Sequence, residues 1–205
     1  MLKRVFIVAS IALLGACATL GTKDYNAMAE GRKAPCYFAG KETGAAFKLN
    51  SSIRNTPLEG VLIVKKADNG DFNVKIMGPL GAQIVDCKME DGAVAYNYVL
   101  PDINTGLIKN RFEKFIFALL SPAGEIKKAH FEKDGTLLVK RQRADGAFTY
   151  FYDENSAYPF KMSSGAASME FAQYQPYKDG SLPYALTYYD SLADVRINLS
   201  LISIR

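Results

Sequence analysis

Histidine, cysteine, serine and paired carboxylates are the side chains through which a chain of 205 residues would do chemistry, and here they are few and scattered. The one histidine, His130, sits in Lys127-Lys128-Ala129-His130-Phe131-Glu132-Lys133, a strand-like stretch. No Gly-x-Ser-x-Gly elbow offers it a nucleophile. Metal sites need convergent ligands, and neither CxxC nor HExxH spacing occurs. Gly40-Lys41-Glu42-Thr43-Gly44 lacks the spacing of a phosphate loop. Asp153-Glu154 is an adjacent pair of acids in a turn, and the aspartates of Asp134-Gly135 and Asp145-Gly146 suit turn geometry. The expectation is a protein without catalysis, cofactor or metal.

The cysteine that does promise chemistry is Cys17. Lys3 and Arg4 precede an apolar run from Val5 to Leu14, broken only by Ser10, and Leu14-Gly15-Ala16 leads into the thiol. This is the three-part pattern of a secretory signal. The run is well short of the roughly 20 apolar residues a spanning helix needs. Leu-Gly-Ala-Cys resembles a bacterial lipobox, in which the thiol is lipidated, the chain is cut before it and the new amino terminus is acylated. Cys17 is then the lipid anchor; the alternative is an ordinary signal cut near Ala18. Two or more acyl chains hold a protein on a membrane without any spanning helix. Ala18 replaces the aspartate that retains such products in the inner membrane, which points to the periplasmic face of the outer membrane. Residues 1–16 are thus expected to be the signal, 17–33 the acylated cysteine and its tether, and 34–205 a single domain.

Cleavage would remove Lys3 and Arg4, so the formal charge of +4 falls to +2. No basic field for nucleic acid survives. Lys127-Lys128 and Lys140-Arg141-Gln142-Arg143 remain as local clusters. They read as solvated strand faces, or as a modest attraction to anionic head groups. Cys36 and Cys87 form a possible disulfide in an oxidising compartment; the alternative is two small buried hydrophobes that never meet.

Those residues must be held by strands. From Gly44 onward, apolar residues alternate with polar ones: Phe72, Val74 and Ile76; Val94, Tyr96 and Tyr98; Leu137 and Val139; Phe148, Tyr150 and Tyr152; Tyr184, Leu186 and Tyr188; Val195, Ile197 and Leu199. Asp-Gly and Asn-Gly turns punctuate them. The pattern predicts an antiparallel meander forming a sandwich or barrel. One segment differs. Ile108, Phe112, Phe115, Ile116 and Leu119 share a helical face, Asn104 or Thr105 can cap the start, and Ser121-Pro122 ends it. An amphipathic helix from Gly106 to Leu120 must lay that stripe on a sheet, either as fixed core or as a movable lid.

With 12 Tyr, 12 Phe and no Trp, the strands either enclose a ligand cavity or fill a solid core. Met77-Gly78-Pro79-Leu80-Gly81 demands a tight turn, and Leu80 at its tip is expected to be exposed or else tucked under the sheet.

The run Asp71-Phe72-Asn73-Val74-Lys75-Ile76-Met77-Gly78-Pro79-Leu80-Gly81 resembles the strand and loop of the LolA/LolB family, its receptor branch in particular. The strand from Leu58 through Val64, the helix Ile108–Leu120, and the ending Leu182-Pro183-Tyr184-Ala185-Leu186-Thr187-Tyr188-Tyr189-Asp190 with Val195–Ile204 agree in order. The resemblance implies an unclosed antiparallel half-barrel of about eleven strands with covering helices, a hydrophobic cavity and no catalysis. It implies binding of a lipid or of the acyl chain of a lipoprotein, and passage onward to the outer membrane, with a periplasmic carrier protein as partner. By that resemblance Leu80 protrudes and assists transfer, while Ile108, Phe112, Phe115 and Ile116 face the chain-binding interior. The competing expectation is a structural or interaction lipoprotein whose barrel is solidly packed.

Overall fold

The computed structural model describes residues 27, 29 and 31–205, apart from 55, 123, 144 and 179. Cys17 and the signal lie outside the described residues. Twelve strands follow one another: β1 (Gly44–Ile53), β2 (Thr56–Lys66), β3 (Phe72–Met77), β4 (Gln83–Glu90), β5 (Ala93–Val99), β6 (Glu125–Phe131), β7 (Leu137–Arg143), β8 (Gly146–Tyr152), β9 (Lys161–Ser164), β10 (Ala167–Tyr177), β11 (Gly180–Asp190) and β12 (Val195–Ile204). The helix α1 (Gly106–Leu120) stands between β5 and β6.

All twelve belong to one antiparallel sheet, in the order β5-β4-β3-β2-β1-β12-β11-β10-β9-β8-β7-β6. The chain therefore runs outward from the centre to the β5 edge, crosses through α1 to the β6 edge, and returns to the centre, where β12 pairs with β1. Every link but that one is between sequence neighbours, the cheapest way to close strand pairs. No ladder joins β5 to β6 among the described residues, so the barrel has a seam. The β6 edge is guarded against foreign strands by Lys127, Lys128 and a register shift between Ile126 and Lys128; α1 connects the two edges.

Period-two alternation builds the concave face. On β1, Ala45, Phe47 and Leu49 are buried; on β3, Phe72, Val74 and Ile76; on β12, Val195, Ile197 and Leu199. The helix lies in this concavity. Thr105 caps it, its hydroxyl accepting from the Ile108 N–H at 3.3 Å. Ile108, Phe115, Ile116, Leu119 and Leu120 are buried, and Phe112 is half-buried against the same core. The fold is thus an unclosed half-barrel with a covering helix, of twelve strands rather than about eleven.

Residues 31–42 seal one end. Lys33 N–H donates to the Ala157 carbonyl at 2.8 Å, and the Arg32 guanidinium donates to the Ser156 carbonyl. Tyr37 packs edge-on against Phe47, with centroids 5.2 Å apart, and Phe38 against Phe72 at 5.0 Å.

Candidate functional site

The seam and the helix across it form the site. The Phe115 ring, wholly buried, meets Tyr188 of β11 with centroids 5.3 Å apart, and Phe112 links it at 5.6 Å. Polar ties to the helix are sparse. The Tyr96 hydroxyl donates to the Lys109 carbonyl at 2.9 Å, and the Tyr188 hydroxyl to the Arg111 carbonyl at 3.3 Å. Burial pushes both phenols above the usual tyrosine range, so each stays a donor. Arg111 approaches Asp190 at 3.7 Å, and Asp190 is 0% exposed.

Beneath the helix the interior is nearly filled. A void of about 30 Å³ lies under its first half, walled by Leu49, Ile76, Val85, Ile103, Ile108 and Phe112. Another of about 100 Å³ lies under its second half, with Phe148, Met162, Met169 and Tyr188 as floor and Lys114 at the rim. The roomier space, about 470 Å³, is at the seam itself, where the C-terminal end of α1 faces the β4–β5 turn; Met89, Gly92, Phe117, Pro122, Gln142 and Arg143 line it.

Arg143 lines that space, and Arg141 stands two residues before it on the same strand face. Arg141 and Arg143 are buried on the concave face of β7, not on a solvated one as the basic run suggested. Arg143 donates to Asp145 at 3.0 and 3.2 Å and to the Phe117 carbonyl near the end of α1, and its guanidinium lies 4.2 Å from the Phe148 ring centroid. Arg141 donates to the carbonyls of Gly124, at 3.2 Å, and Arg32, at 3.0 Å. Lys140 and Gln142 take the outer face. The i, i+2 spacing of Arg141 and Arg143 in a strand was the one sequence signal for this arrangement.

Leu80 is fully exposed. Its backbone is left-handed, with φ 58°, which costs a residue with a side chain roughly 1–2 kcal/mol. Gly81 beside it has φ +81°, and the Gly78 N–H to Ala82 carbonyl bond at 2.7 Å closes the turn. Below it Gly60 admits the Met77 carbonyl, which would stand 2.2 Å from a Cβ there. Odd-numbered strands all run the same way, so the β3–β4 turn with Leu80, the helix start with Leu107 and the β11–β12 turn with Leu192 stand at one end of the sheet. All three leucines are exposed.

The other residues singled out in the sequence do not gather into a site. Cys36 and Cys87 are free thiols in the structure. Cys87 is buried on β4 between Val74 and Tyr96, and burial pushes its thiol up to about 12. His130 lies on the β6 edge, 3.5 Å from Glu132 with both side chains largely in water. Among the described residues no cluster of His, Cys, Asp or Glu could hold a metal ion. None of their helices is long and apolar enough to cross a membrane.

No family model and no curated relative matches the sequence. Solved structures do. A LolA superfamily protein from Nitrosomonas europaea superposes with a TM-score of 0.55 at 10% identity, covering 88% of this chain and 92% of that one. An outer membrane lipoprotein-sorting protein domain, so assigned in Vibrio parahaemolyticus, reaches a TM-score of 0.44 at 10% identity over 82% and 87% of the two chains. A DUF1329 family protein from Desulfovibrio piger reaches 0.49 at 5% identity over 82% and 87%. At such identity the first of these shows a fold in common with that LolA superfamily protein.

Proposed function

We propose that this chain is a lipid-anchored envelope protein that holds an alkyl chain in its half-barrel, admits it at the seam, and delivers it at the outer membrane. The observation that carries the reading is the seam. The sheet leaves β5 and β6 unjoined, one helix spans them, and a space of about 470 Å³ opens where that helix ends. The interior behind α1 is walled by aliphatic and aromatic side chains, which favour hydrocarbon over water by about 25 cal/mol per Å². Lifting α1 would join the small voids under its two halves into one chamber. Among the described residues its polar ties are two phenol hydrogen bonds, the Arg143 contact and the Arg111–Asp190 pair. The apolar face it would uncover must be re-covered by the bound chain.

In this reading Cys17 carries the anchor, and the end of the barrel bearing Leu80, Leu107 and Leu192 meets the membrane. Ile108, Phe112, Phe115 and Ile116 form the underside of the lid and contact the bound chain. The ligand is a lipid or the acyl part of a lipoprotein, received from a periplasmic carrier. The fold shared with the LolA superfamily supports this reading, and the protein performs no catalytic step in it.

The test is titration of the full-length protein in phosphatidylcholine vesicles with a fluorescent fatty acid that brightens in apolar surroundings, competed by palmitate. Saturable binding that weakens about ten-fold in Phe117→Glu supports the reading, since Phe117 lines the seam. Absence of saturable binding favours a second reading, a packed interaction module, for which the 30 Å³ void under α1 speaks.

A further inference from the structure

The sheet is broken a second time, in its wall. β11 and β12 are laddered only as far as Ala185 opposite Ser200. Beyond that pair β11 stays with β10 down to Gly180, and β12 stays with β1 out to Ile204. Continued register would set Pro183 against Ile202. Proline has no N–H to give a ladder. Ile202 is the residue left over where β12 shifts register against β1, between the Phe47–Leu201 and Ala46–Ser203 pairs. Two phenols take up main-chain groups of β11 here. Ser181 N–H donates to the Tyr158 oxygen at 2.7 Å, and the Tyr37 hydroxyl donates to the Pro183 carbonyl at 2.6 Å.

The cleft so formed is open to solvent and holds about 210 Å³. Tyr177, Leu182, Tyr184, Leu201, Ile202 and Ile204 line it, and none of its lining side chains is charged. Leu182 belongs to the core, Leu201 and Ile204 pack against it, and Ile202 is 59% exposed. Apolar side chains therefore reach from solvent to the core along a wall that Gln175 and Ser203 also line. Tyr37, tied to Pro183 on the β11 side, is 2% exposed and also borders the small space beneath Ala118 and Leu119 of α1.

We propose that this cleft is a lateral slot for a single alkyl chain of a lipid, with Leu182, Leu201 and Ile204 at its inner end, separate from the seam. An added β-strand is the poorer occupant, because Pro183 lacks a donor and the Ser181 and Pro183 groups are already taken. Hydrocarbon needs no such partners and gains from leaving water. The slot goes beyond the function proposed above and stands or falls apart from it.

The experiment irradiates full-length protein in phosphatidylcholine vesicles with palmitate bearing a mid-chain diazirine and maps the cross-linked peptides. Adducts on residues 175–184 and 201–205 are expected. They should fall about ten-fold in Ile202→Asp and less in Ile202→Gln, both keeping the wild-type melting temperature because Ile202 faces solvent. Adducts confined to residues 89–92 and 117–122 overturn the slot and leave the seam reading standing, while adducts nowhere overturn both. Unchanged cleft labelling in folded Ile202→Asp also overturns the slot. So does sedimentation showing that Ile202→Asp converts a dimer to a monomer, since a second copy would then cover the cleft.

Discussion

Arg111 on the covering helix stands 3.7 Å from Asp190, a carboxylate at the end of β11 that is wholly buried. One carboxylate oxygen of Asp190 accepts from the Leu192 and Ala193 N–H groups at 3.0 and 3.3 Å, and the other has Arg111 as its charged neighbour. The pair thus ties α1 to the β11–β12 turn. Removing one partner leaves a buried charge unmatched, which costs about 3–5 kcal/mol. Arg111→Met should lose that much in urea denaturation. Asp190→Asn, which retains the turn acceptor and leaves Arg111 to reach water, should lose less. The double variant should lose less than the two losses added.

Leu80 keeps a strained backbone and an apolar side chain in water, so the fold gains nothing visible from it. Leu80→Gly relieves the left-handed strain and should be at least as stable as wild type, by up to about 1 kcal/mol. Leu80→Glu should keep the wild-type melting temperature. Both should slow lipid transfer between vesicles. An unfolded Leu80→Glu would make the leucine a fold requirement, and normal transfer by both variants would remove it from the mechanism.

Glu42 gives the stability a pH dependence. Hydrogen bonding from Lys178, outweighing the cost of burial, and a further bond from the Gly40 N–H hold its carboxyl at about 2. An unfolded chain protonates the same group near about pH 4.3. The contribution is therefore complete above that value and is lost as pH falls from about 4.3 toward 2. Lys178 is half in water, so the loss should be only about 1 kcal/mol. Glu42→Gln should flatten the stability curve in that interval and leave the rest unchanged.

The free thiols make a chemical prediction. Burial raises the Cys87 thiol to about 12, so it offers almost no thiolate at neutral pH. Iodoacetamide should modify Cys87 only after denaturation, and half-buried Cys36 in the folded state. Protection of both thiols until a reductant is added would mean that they are bridged.

The period-two alternation and the turns announced the strands, and the apolar stripe with its Thr105 cap gave the helix at the bounds the structure shows. What stayed illegible rests on partners distant in sequence. Arg141 and Arg143 look like a solvated basic run because their acceptors, the carbonyls of Phe117, Gly124 and Arg32, come from other elements. Short β9 carries too few residues to show a period. The wall cleft hides behind an unbroken alternation in β11; only Pro183 marks it, and its meaning depends on Ile202 facing it across the sheet.

Native mass spectrometry of the full-length protein extracted from its own envelope tests the central claim, that the half-barrel holds an alkyl chain. The account predicts the mass of the acylated protein together with one or more discrete additional lipids, which are released when Phe117→Glu disrupts the seam. Acylated protein carrying no further lipid, in wild type and variant alike, would contradict it.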